Sequence, residues 1–181
     1  KYFYLKRNVL KARVDMPNSP FYAVNTHLTA FAEDDSTKLR HINGFKNILD
    51  GIVLNGQNFV SGGDLNALPT NASKLDYCLE DQCENESYHT DEEPGHKAGA
   101  YFAKQINGLS ELYKTYKPAI PLEEYGKQES KHFTHSPDNK LKLDRKLDYL
   151  WTNTSWSNPI THQEATTLSD HIPVSAIWEV K

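Results

Sequence analysis

The sequence contains no apolar run that approaches the length needed to span a bilayer. It also lacks an excess of basic residues, since 20 Lys and Arg stand against 24 Asp and Glu and the formal net charge is -4. This acidic balance gives no overall positive surface, so a nucleic-acid partner is disfavoured although not ruled out. The absences give no support for a transmembrane segment and leave the function to be read from local motifs.

Cysteine is scarce, and the two cysteines, Cys78 and Cys83, lie in one loop region. Their proximity permits a local disulfide, which would indicate an oxidising compartment, and two free or buried thiols are an equally good interpretation. Two cysteines without a second cysteine or histidine pair nearby are a poor zinc signature. The localisation therefore stays open between a secreted or periplasmic protein and a cytoplasmic one.

What is present is the composition of one folded domain, with 181 residues of which 38% are hydrophobic and 24% are charged. Two strands are predicted over residues 7–15 and 21–28, joined by a proline-bounded turn. A helix is predicted to begin near Ser36 and to end before Gly56. Its apolar stripe, at helical spacing, consists of Leu39, Ile42, Phe45, Leu49 and Ile52.

Three more strands are predicted further along the chain, over residues 58–63, 146–151 and 172–178. Two stretches rich in turn-forming or polar residues, 126–131 and 153–159, are predicted to be loops. The succession of strand, helix and strand indicates a layered α/β domain.

Polar residues stand at the ends of these predicted strands. Asp64 and Asn66 follow a short apolar run and a glycine pair, and residues two apart in an extended segment point to the same side. His27 ends the second strand, where it is either a sheet-end histidine satisfied by backbone or a group aimed at the same site. Asp170 and His171 directly precede the last strand.

Asp148 lies inside an apolar strand, where a carboxylate needs a partner or becomes protonated. A carboxylate beside an imidazole fixes the histidine tautomer and raises its basicity. Carboxylates and an Asn side chain suit Mg²⁺ or Ca²⁺, and histidines donate hydrogen bonds to phosphate oxygens. Together these residue types predict metal-assisted attack of water on phosphorus, although their spacing alone is not specific.

Four motifs in a fixed order extend over nearly the whole chain. They are Asn25-Thr26-His27-Leu28, Gly63-Asp64-Leu65-Asn66, Leu147-Asp148-Tyr149 and Ser169-Asp170-His171-Ile172-Pro173-Val174. In this order they resemble the endonuclease/exonuclease/phosphatase superfamily, which includes DNase I-like nucleases, abasic-site endonucleases, neutral sphingomyelinases and inositol polyphosphate 5-phosphatases. The resemblance implies a DNase I-like four-layer α/β sandwich, in which two stacked, mostly antiparallel sheets are flanked by helices.

The resemblance also implies a role for each residue of the first two motifs. His27 matches the family histidine that contacts the scissile phosphate. Asp64 matches the acid that activates or orients the attacking water, and Asn66 matches the group that positions Asp64 and the phosphate.

The last two motifs carry the remaining implied roles. Asp148 matches the acid that pairs with His171, and Asp170 matches the acid next to the metal. His171 matches the catalytic histidine, either as general base or as phosphate ligand, so Asp64 and His171 compete for the role of base. The implied cofactor is Mg²⁺, with Mn²⁺ or Ca²⁺ as substitutes.

One departure from the family concerns the beginning of the domain. Family members carry an Asn-bearing strand and a later Glu, the main Mg²⁺ ligand, before the Asn-Thr-His strand. Only 24 residues precede Asn25 here, and none of them is Glu. Residues 1–181 are therefore predicted to form a single, incomplete domain that lacks its N-terminal part. By itself it is expected to bind metal weakly and to be inactive, with an apolar sheet face left for the remaining N-terminal part or a second copy to cover.

The predicted function is that of a metal-dependent phosphoester hydrolase acting on nucleic acid, phospholipid or a small phosphoester. A basic cluster near the Asp148 strand is predicted to be a solvated connection rather than a phosphate contact. Its members are Lys140, Lys142, Arg145 and Lys146. The alternative is a catalytically incompetent interaction module, which the intact set of site residues disfavours. A β-sandwich adhesion domain is a weaker third interpretation, because a helix is predicted between two strands.

Overall fold

A computed structural model gives the structure of most of the chain. It describes residues 7–17, 19–30, 36–78, 80–81, 99–137, 142–165 and 169–179. Cys83 and Lys140 lie outside these residues. The disulfide and the two thiols therefore both stay predictions for Cys78 and Cys83.

Among the described residues, five strands form the larger of two sheets. They are β1 (Val9–Val14), β2 (Phe21–His27), β3 (Asn58–Asp64), β4 (Lys117–Pro118) and β5 (Asp148–Thr152). Their order across the sheet is β1-β2-β3-β5-β4. β1 and β2 pair antiparallel as predicted, β2 and β3 pair parallel, and β5 pairs antiparallel with both β3 and β4. A parallel pair needs a long crossover, and the helix α1 (Thr37–Leu54) lies in that connection.

The two ends of α1 are where the sequence predicts them. Ser36 is the N-cap residue, although its side chain makes no capping hydrogen bond and its φ is 60°. At the other end, Gly56 N donates to Val53 O at 2.9 Å and Gln57 N donates to Ile52 O at 3.2 Å. This is the Schellman pattern of hydrogen bonds, and Gly56 accommodates its left-handed φ of 69°.

The buried face of α1 differs from the predicted stripe at one position. Its buried residues are Lys38, Ile42, Phe45, Leu49 and Ile52. Leu39 is 37% exposed, so its assignment to the core was wrong. Lys38 is buried instead, and its Nζ lies 5.2 Å from the centre of the Phe102 ring. A lysine can be buried in this way because its alkyl stem packs on apolar surface.

The main core lies between α1 and one face of the larger sheet. Phe59, Tyr149 and Trp151 bring the sheet to this cluster, and Leu109 and Leu112 bring the segment around α2 (Ser110–Thr115). A third helix, α3, spans Leu122–Lys127, and short 3-10 helices span Ala103–Gln105, Glu129–His132 and Gln163–Ala165. The prediction of a loop over residues 126–131 was therefore wrong.

A second sheet consists of β6 (Ser155–Thr161) and β7 (Val174–Glu179), which pair antiparallel. The prediction of a loop over residues 153–159 was wrong, because β6 begins at Ser155. The register of the pairing shifts between Ser157 and Ile160. This irregularity takes up Asn158, which has a φ of 48°, and Pro159, so turn-forming residues are accommodated within a strand.

A groove of about 520 Å³ lies between the two sheets. Leu10 and Phe21 line it from the larger sheet, and Trp156 and Trp178 line it from the smaller one. Leu10, on the edge strand β1, is 68% exposed. Within the described residues, no helix combines the length and apolar character that crossing a bilayer requires.

Candidate active site

The register of three neighbouring strands places three of the predicted site residues in one row. His27 of β2 pairs with Asp64 of β3, and Asp64 pairs in turn with Asp148 of β5. Directly paired residues carry their side chains on the same face of a sheet. The groove is lined by the residues that lie two positions from this row on the same three strands, namely Asn25, Gly62 and Leu150. The row of polar side chains therefore lies at one end of that groove.

Two glycines permit the close approach of these strands. A Cβ on Gly63 would lie 1.9 Å from the backbone oxygen of Thr26, and the φ of Gly63 is 138°. A Cβ on Gly62 would lie 2.7 Å from Cδ2 of Leu150. Gly63 is thus required by the packing of β3 against β2, whereas the contact at Gly62 is with the end of a flexible side chain.

Both carboxylate oxygens of Asp64 are held by Asn66. The backbone N–H of Asn66 donates to Oδ1 at 2.8 Å, and its side-chain Nδ2 donates to Oδ2 at 3.0 Å. The same amide group also donates to the backbone oxygen of Leu28 at 3.0 Å. Asn66 adopts a φ of 48°, in the left-handed region that Asn tolerates. The contact fixes the orientation of Asp64, whereas the role of Asn66 toward a phosphate stays a prediction.

His171 bridges the two aspartates of the row. Its Nδ1 lies 2.8 Å from Oδ2 of Asp148, and its Nε2 lies 3.8 Å from Oδ2 of Asp64. Burial lowers the pKa of His171, but the hydrogen bond and the charges of Asp148 and Asp64 outweigh burial, so the pKa is raised above 6.5. The predicted Asp148–His171 pair is present as a contact.

The carboxyl group of Asp64 has its pKa raised above 3.8. Burial is the main cause and the negative charge of Asp148 adds to it, against the lowering effects of the Asn66 hydrogen bond, His171 and His27. The Asp64 side chain is 11% exposed. A carboxyl group that is partly desolvated and next to a second acid is a common feature of catalytic sites.

His27 completes the row from the exposed side. Its Nε2 lies 3.3 Å from Oδ2 of Asp64, and its side chain is 57% exposed. The ring therefore contacts a carboxylate of the row, and more than half of its surface is exposed, whereas its role toward a phosphate stays a prediction.

Asp170 lies on the other side of His171, in the segment before β7. Its Oδ1 accepts a hydrogen bond from Ser169 Oγ at 2.9 Å, and its backbone oxygen accepts one from Ser136 N at 2.8 Å. Burial raises the pKa of Asp170, but the Ser169 hydrogen bond and the charge of His171 outweigh burial, so the pKa is lowered below 3.8. The exposed carboxylate is therefore available to a cation.

No motif in the sequence assigns residues 134 and 135 to the site. Thr134 is fully buried, and its Oγ1 accepts hydrogen bonds from the backbone N–H groups of Leu147 and Asp148 at 3.0 and 3.1 Å. Its backbone oxygen accepts a hydrogen bond from Ile172 N at 2.9 Å. Thr134 thus ties the segment of Asp148 to that of His171.

The basic residues before Asp148 are not all solvated, so the prediction of a solvated connection was wrong at two positions. The guanidinium of Arg145 lies 4.0 Å above the ring of Tyr77, and the side chain is 2% exposed. Lys146 Nζ donates to the backbone oxygen of Asp148 at 2.7 Å, and burial lowers the pKa of this lysine to about 8. Lys142 is exposed, as predicted.

Two overlapping sets of side chains have donor atoms close enough together to hold a cation. One set is Asp64, Asp148 and His171, and the other is His135, Asp170 and His171. Within each set the donor atoms lie within 4.8 Å of one another. The carboxylates and Asn66 fit the oxygen preference of Mg²⁺, Mn²⁺ or Ca²⁺, so the residues present are compatible with the predicted cofactor.

Comparison with known proteins identifies similar folds but no similar sequences. No protein-family model and no curated protein sequence matches the chain. An AP endonuclease from Archaeoglobus fulgidus matches with a TM-score of 0.57 and 14% identity, over 88% of this chain and 62% of that one. The catalytic domain of Xenopus laevis APE2 matches with a TM-score of 0.53 and 14% identity, over 93% of this chain and 54% of that one.

A humanized D. rerio TDP2 carrying 14 mutations also matches, with a TM-score of 0.53 and 13% identity. The match covers 94% of this chain and 59% of that one. The chain thus spans between 54% and 62% of the length of these three structures. The mixed α/β architecture, with two sheets and flanking helices, confirms the predicted fold class. The described chain has part of a DNase I-like fold.

Proposed function

We propose that the site around Asp64 hydrolyses a phosphoester bond with the help of a divalent cation. The observation that supports this proposal is the set of contacts made by one carboxylate. Asp64 contacts Asn66, His27 and His171 at distances between 2.8 and 3.8 Å. Those residues come from three separate motifs, and they supply an acid, a neutral amide and two imidazoles at one end of an apolar groove.

In this proposal each residue has a distinct task in the reaction. Asn66 orients Asp64 through both carboxylate oxygens, which leaves the carboxylate fixed for water or a cation. Asp148 takes Nδ1 of His171, so Nε2 is the nitrogen that faces Asp64 and any bound phosphate. His27, which is exposed beside Asp64, is placed to donate a hydrogen bond to a phosphate oxygen.

The cation would be held by carboxylates of this cluster. Asp170 is the proposed main ligand within the chain. A bound Mg²⁺ or Mn²⁺ supplies positive charge that polarises the phosphoryl group. Either Asp64 or His171 takes a proton from the attacking water. The pH–rate profiles of Asp64→Asn and His171→Ala distinguish these roles.

The test is a hydrolysis assay with Mg²⁺ on bis-p-nitrophenyl phosphate, DNA and sphingomyelin. It uses the 181-residue chain and, where the gene encodes more, the full product. Asp64→Asn and His171→Ala are each expected to lower turnover about 10²–10⁴-fold, as for the loss of an acid–base group. His162→Ala is the matched control, because His162 lies outside the site. It contacts Glu164 and, on β7 of the second sheet, Ser175.

Unchanged turnover when both substitutions are made in the full product, or no turnover of any phosphoester by the full product, would overturn the proposal. The 181-residue chain alone is expected to be inactive, because no Glu precedes Asn25 and the chain spans about three fifths of its structural neighbours. Binding of a phosphoester without turnover by the full product would favour the alternative, an interaction module.

A further inference from the structure

We propose that His135, Asp170 and His171 form a binding site for one zinc-type divalent cation. The proposal concerns the binding of an ion and does not depend on phosphoester hydrolysis. Each of the three residues offers a donor atom, and these atoms lie within 4.8 Å of one another. His135 has no part in the roles proposed above, and no motif in the sequence assigned it to the site.

The backbone holds the two histidines side by side. His135 and His171 form an antiparallel bridge, and their rings are 5.1 Å apart at an interplanar angle of 77°. Ser136 N also donates to the backbone oxygen of Asp170 at 2.8 Å. The segments on both sides of the cluster are therefore joined by main-chain contacts next to all three donor residues.

Each imidazole is oriented by its own carboxylate. His135 Nδ1 lies 3.2 Å from Asp144 Oδ1, and His171 Nδ1 lies 2.8 Å from Asp148 Oδ2. Histidine ligands of metals almost always place one ring nitrogen against a carboxylate, carbonyl or water, which fixes the tautomer and strengthens the other nitrogen as a donor. Two such pairs side by side leave the Nε2 atoms of both rings to bind a cation.

The carboxylate behind His135 is itself fixed. Arg145 Nε donates to Asp144 Oδ1 at 2.9 Å, and its Nη2 donates to Oδ2 at 2.6 Å. Arg145 also pairs with Asp81, and its side chain is 2% exposed. This buried network orients His135 before any ion binds, so little ordering is needed on binding.

The donor set decides the kind of cation. Two imidazoles and one carboxylate suit Zn²⁺ or Co²⁺, whereas Mg²⁺ and Ca²⁺ prefer sites made of oxygen ligands. Three protein ligands leave a coordination position for water or a further ligand. Because His171 also faces Asp64, an ion at this site engages the same imidazole that the hydrolytic site uses.

The test measures binding directly on the metal-free 181-residue chain. Titration with Co²⁺ is followed by its visible absorption, and titration with Zn²⁺ by calorimetry. We expect one equivalent to bind, with no displacement by millimolar Mg²⁺. His135→Ala and Asp170→Asn should each weaken Zn²⁺ binding by 10-fold or more, and Asp144→Asn by about 10–100-fold.

The matched control is His162→Ala, because His162 also has an imidazole–carboxylate contact, with Glu164, outside the cluster. It should leave Zn²⁺ affinity unchanged. Asp170 is exposed, so Asp170→Asn tests the site even where His135→Ala fails to fold. Equal Zn²⁺ affinity in Asp170→Asn and wild type, or an equal loss in His162→Ala, would overturn the proposal. Either result would leave the hydrolysis assays unaffected.

Discussion

At the scale of single residues, the contact with Asp148 raises the pKa of the His171 imidazole. The imidazole lies between two aspartates, and its pKa is raised because their negative charges outweigh the effect of burial. By linkage, the stability contributed by this raised pKa is fully present below about pH 6.5 and is lost as the pH rises through the folded-state pKa.

Asp148→Asn is expected to lower the pKa of His171, because the variant removes the carboxylate charge but retains a side chain of similar size. The pKa is measured by NMR titration of the histidine ring protons in metal-free protein. Glu164→Gln serves as the control, since Glu164 contacts His162 and not His171. A His171 pKa that is the same in Asp148→Asn and wild type would contradict the prediction.

The glycine before Asp64 gives a second prediction at this scale. Gly63→Ala should destabilise the fold by about 2–4 kcal/mol, because the backbone is at a φ of 138° and the added Cβ meets the Thr26 oxygen at 1.9 Å. Gly51→Ala is the matched control, because Gly51 lies in α1 with no atom within 4 Å of the added Cβ. This control should stabilise the helix by about 0.5–1 kcal/mol. Urea denaturation measures both changes, and equal effects would contradict the prediction.

At the scale of elements, one hydrogen-bond network ties α1 to the segment between α2 and β4. The hydroxyl of Tyr116 donates to Asp50 Oδ1 at 2.5 Å, and Lys46 donates to the same carboxylate at 2.9 Å. Burial raises the pKa of Asp50, but the hydrogen bonds from Tyr116 and Lys46 outweigh burial, so the pKa is lowered below 3.8. This contribution to stability is present above about pH 3.8 and is lost as the pH falls through the folded-state pKa.

Tyr116→Phe is expected to cost about 1.5 kcal/mol at pH 7, since it removes a hydrogen bond to a charged acceptor. The difference from wild type should shrink as the pH falls below about 3.8. Denaturation curves at several pH values measure it. The comparison is Glu123→Gln, which breaks an exposed i,i+4 pair with Lys127 and should change stability by no more than about 0.5 kcal/mol. A loss in Tyr116→Phe that is independent of pH would count against this account.

At the scale of the whole molecule, the two sheets enclose an apolar groove that ends at the polar cluster. Along β2 and β3, residues that line the groove alternate with residues on the opposite face, which α1 covers. The same strands therefore supply the main core, the groove and the site. Leu10, which lines the groove from the edge strand β1, is 68% exposed. An apolar surface of this kind binds hydrophobic dyes or is covered by another part of a protein.

In the 181-residue chain, the groove is expected to bind anilinonaphthalene sulfonate and to enhance its fluorescence. Leu10→Lys should reduce the signal, because it places a charge on the lining. Leu54→Lys is the control, since Leu54 is 85% exposed at the end of α1 and does not line the groove. Equal signals from both variants, or no signal from wild type, would show that the groove is not open. Sedimentation of the wild type then tells whether a second copy covers it.

Much of the architecture depends on local patterns, and those patterns were readable in the sequence. The period of apolar residues and Gly56 defined α1, and the runs before Asp64 and around Asp148 defined β3 and β5. The motif order indicated the fold class and which polar residues to compare. The elements α1, β3 and β5 depend on neighbours within a few positions, so the sequence alone determined them.

Only the tertiary structure decided how distant segments meet. The register of β2, β3 and β5 places His27, Asp64 and Asp148 in one row, and no local pattern specifies that register. Arg145 is buried because Tyr77 and Asp81 come from elsewhere in the chain. His135 belongs to the site because its backbone bridges His171 across 35 intervening residues. Burial and partner choice are properties of contacts between segments, and the folded chain alone establishes them.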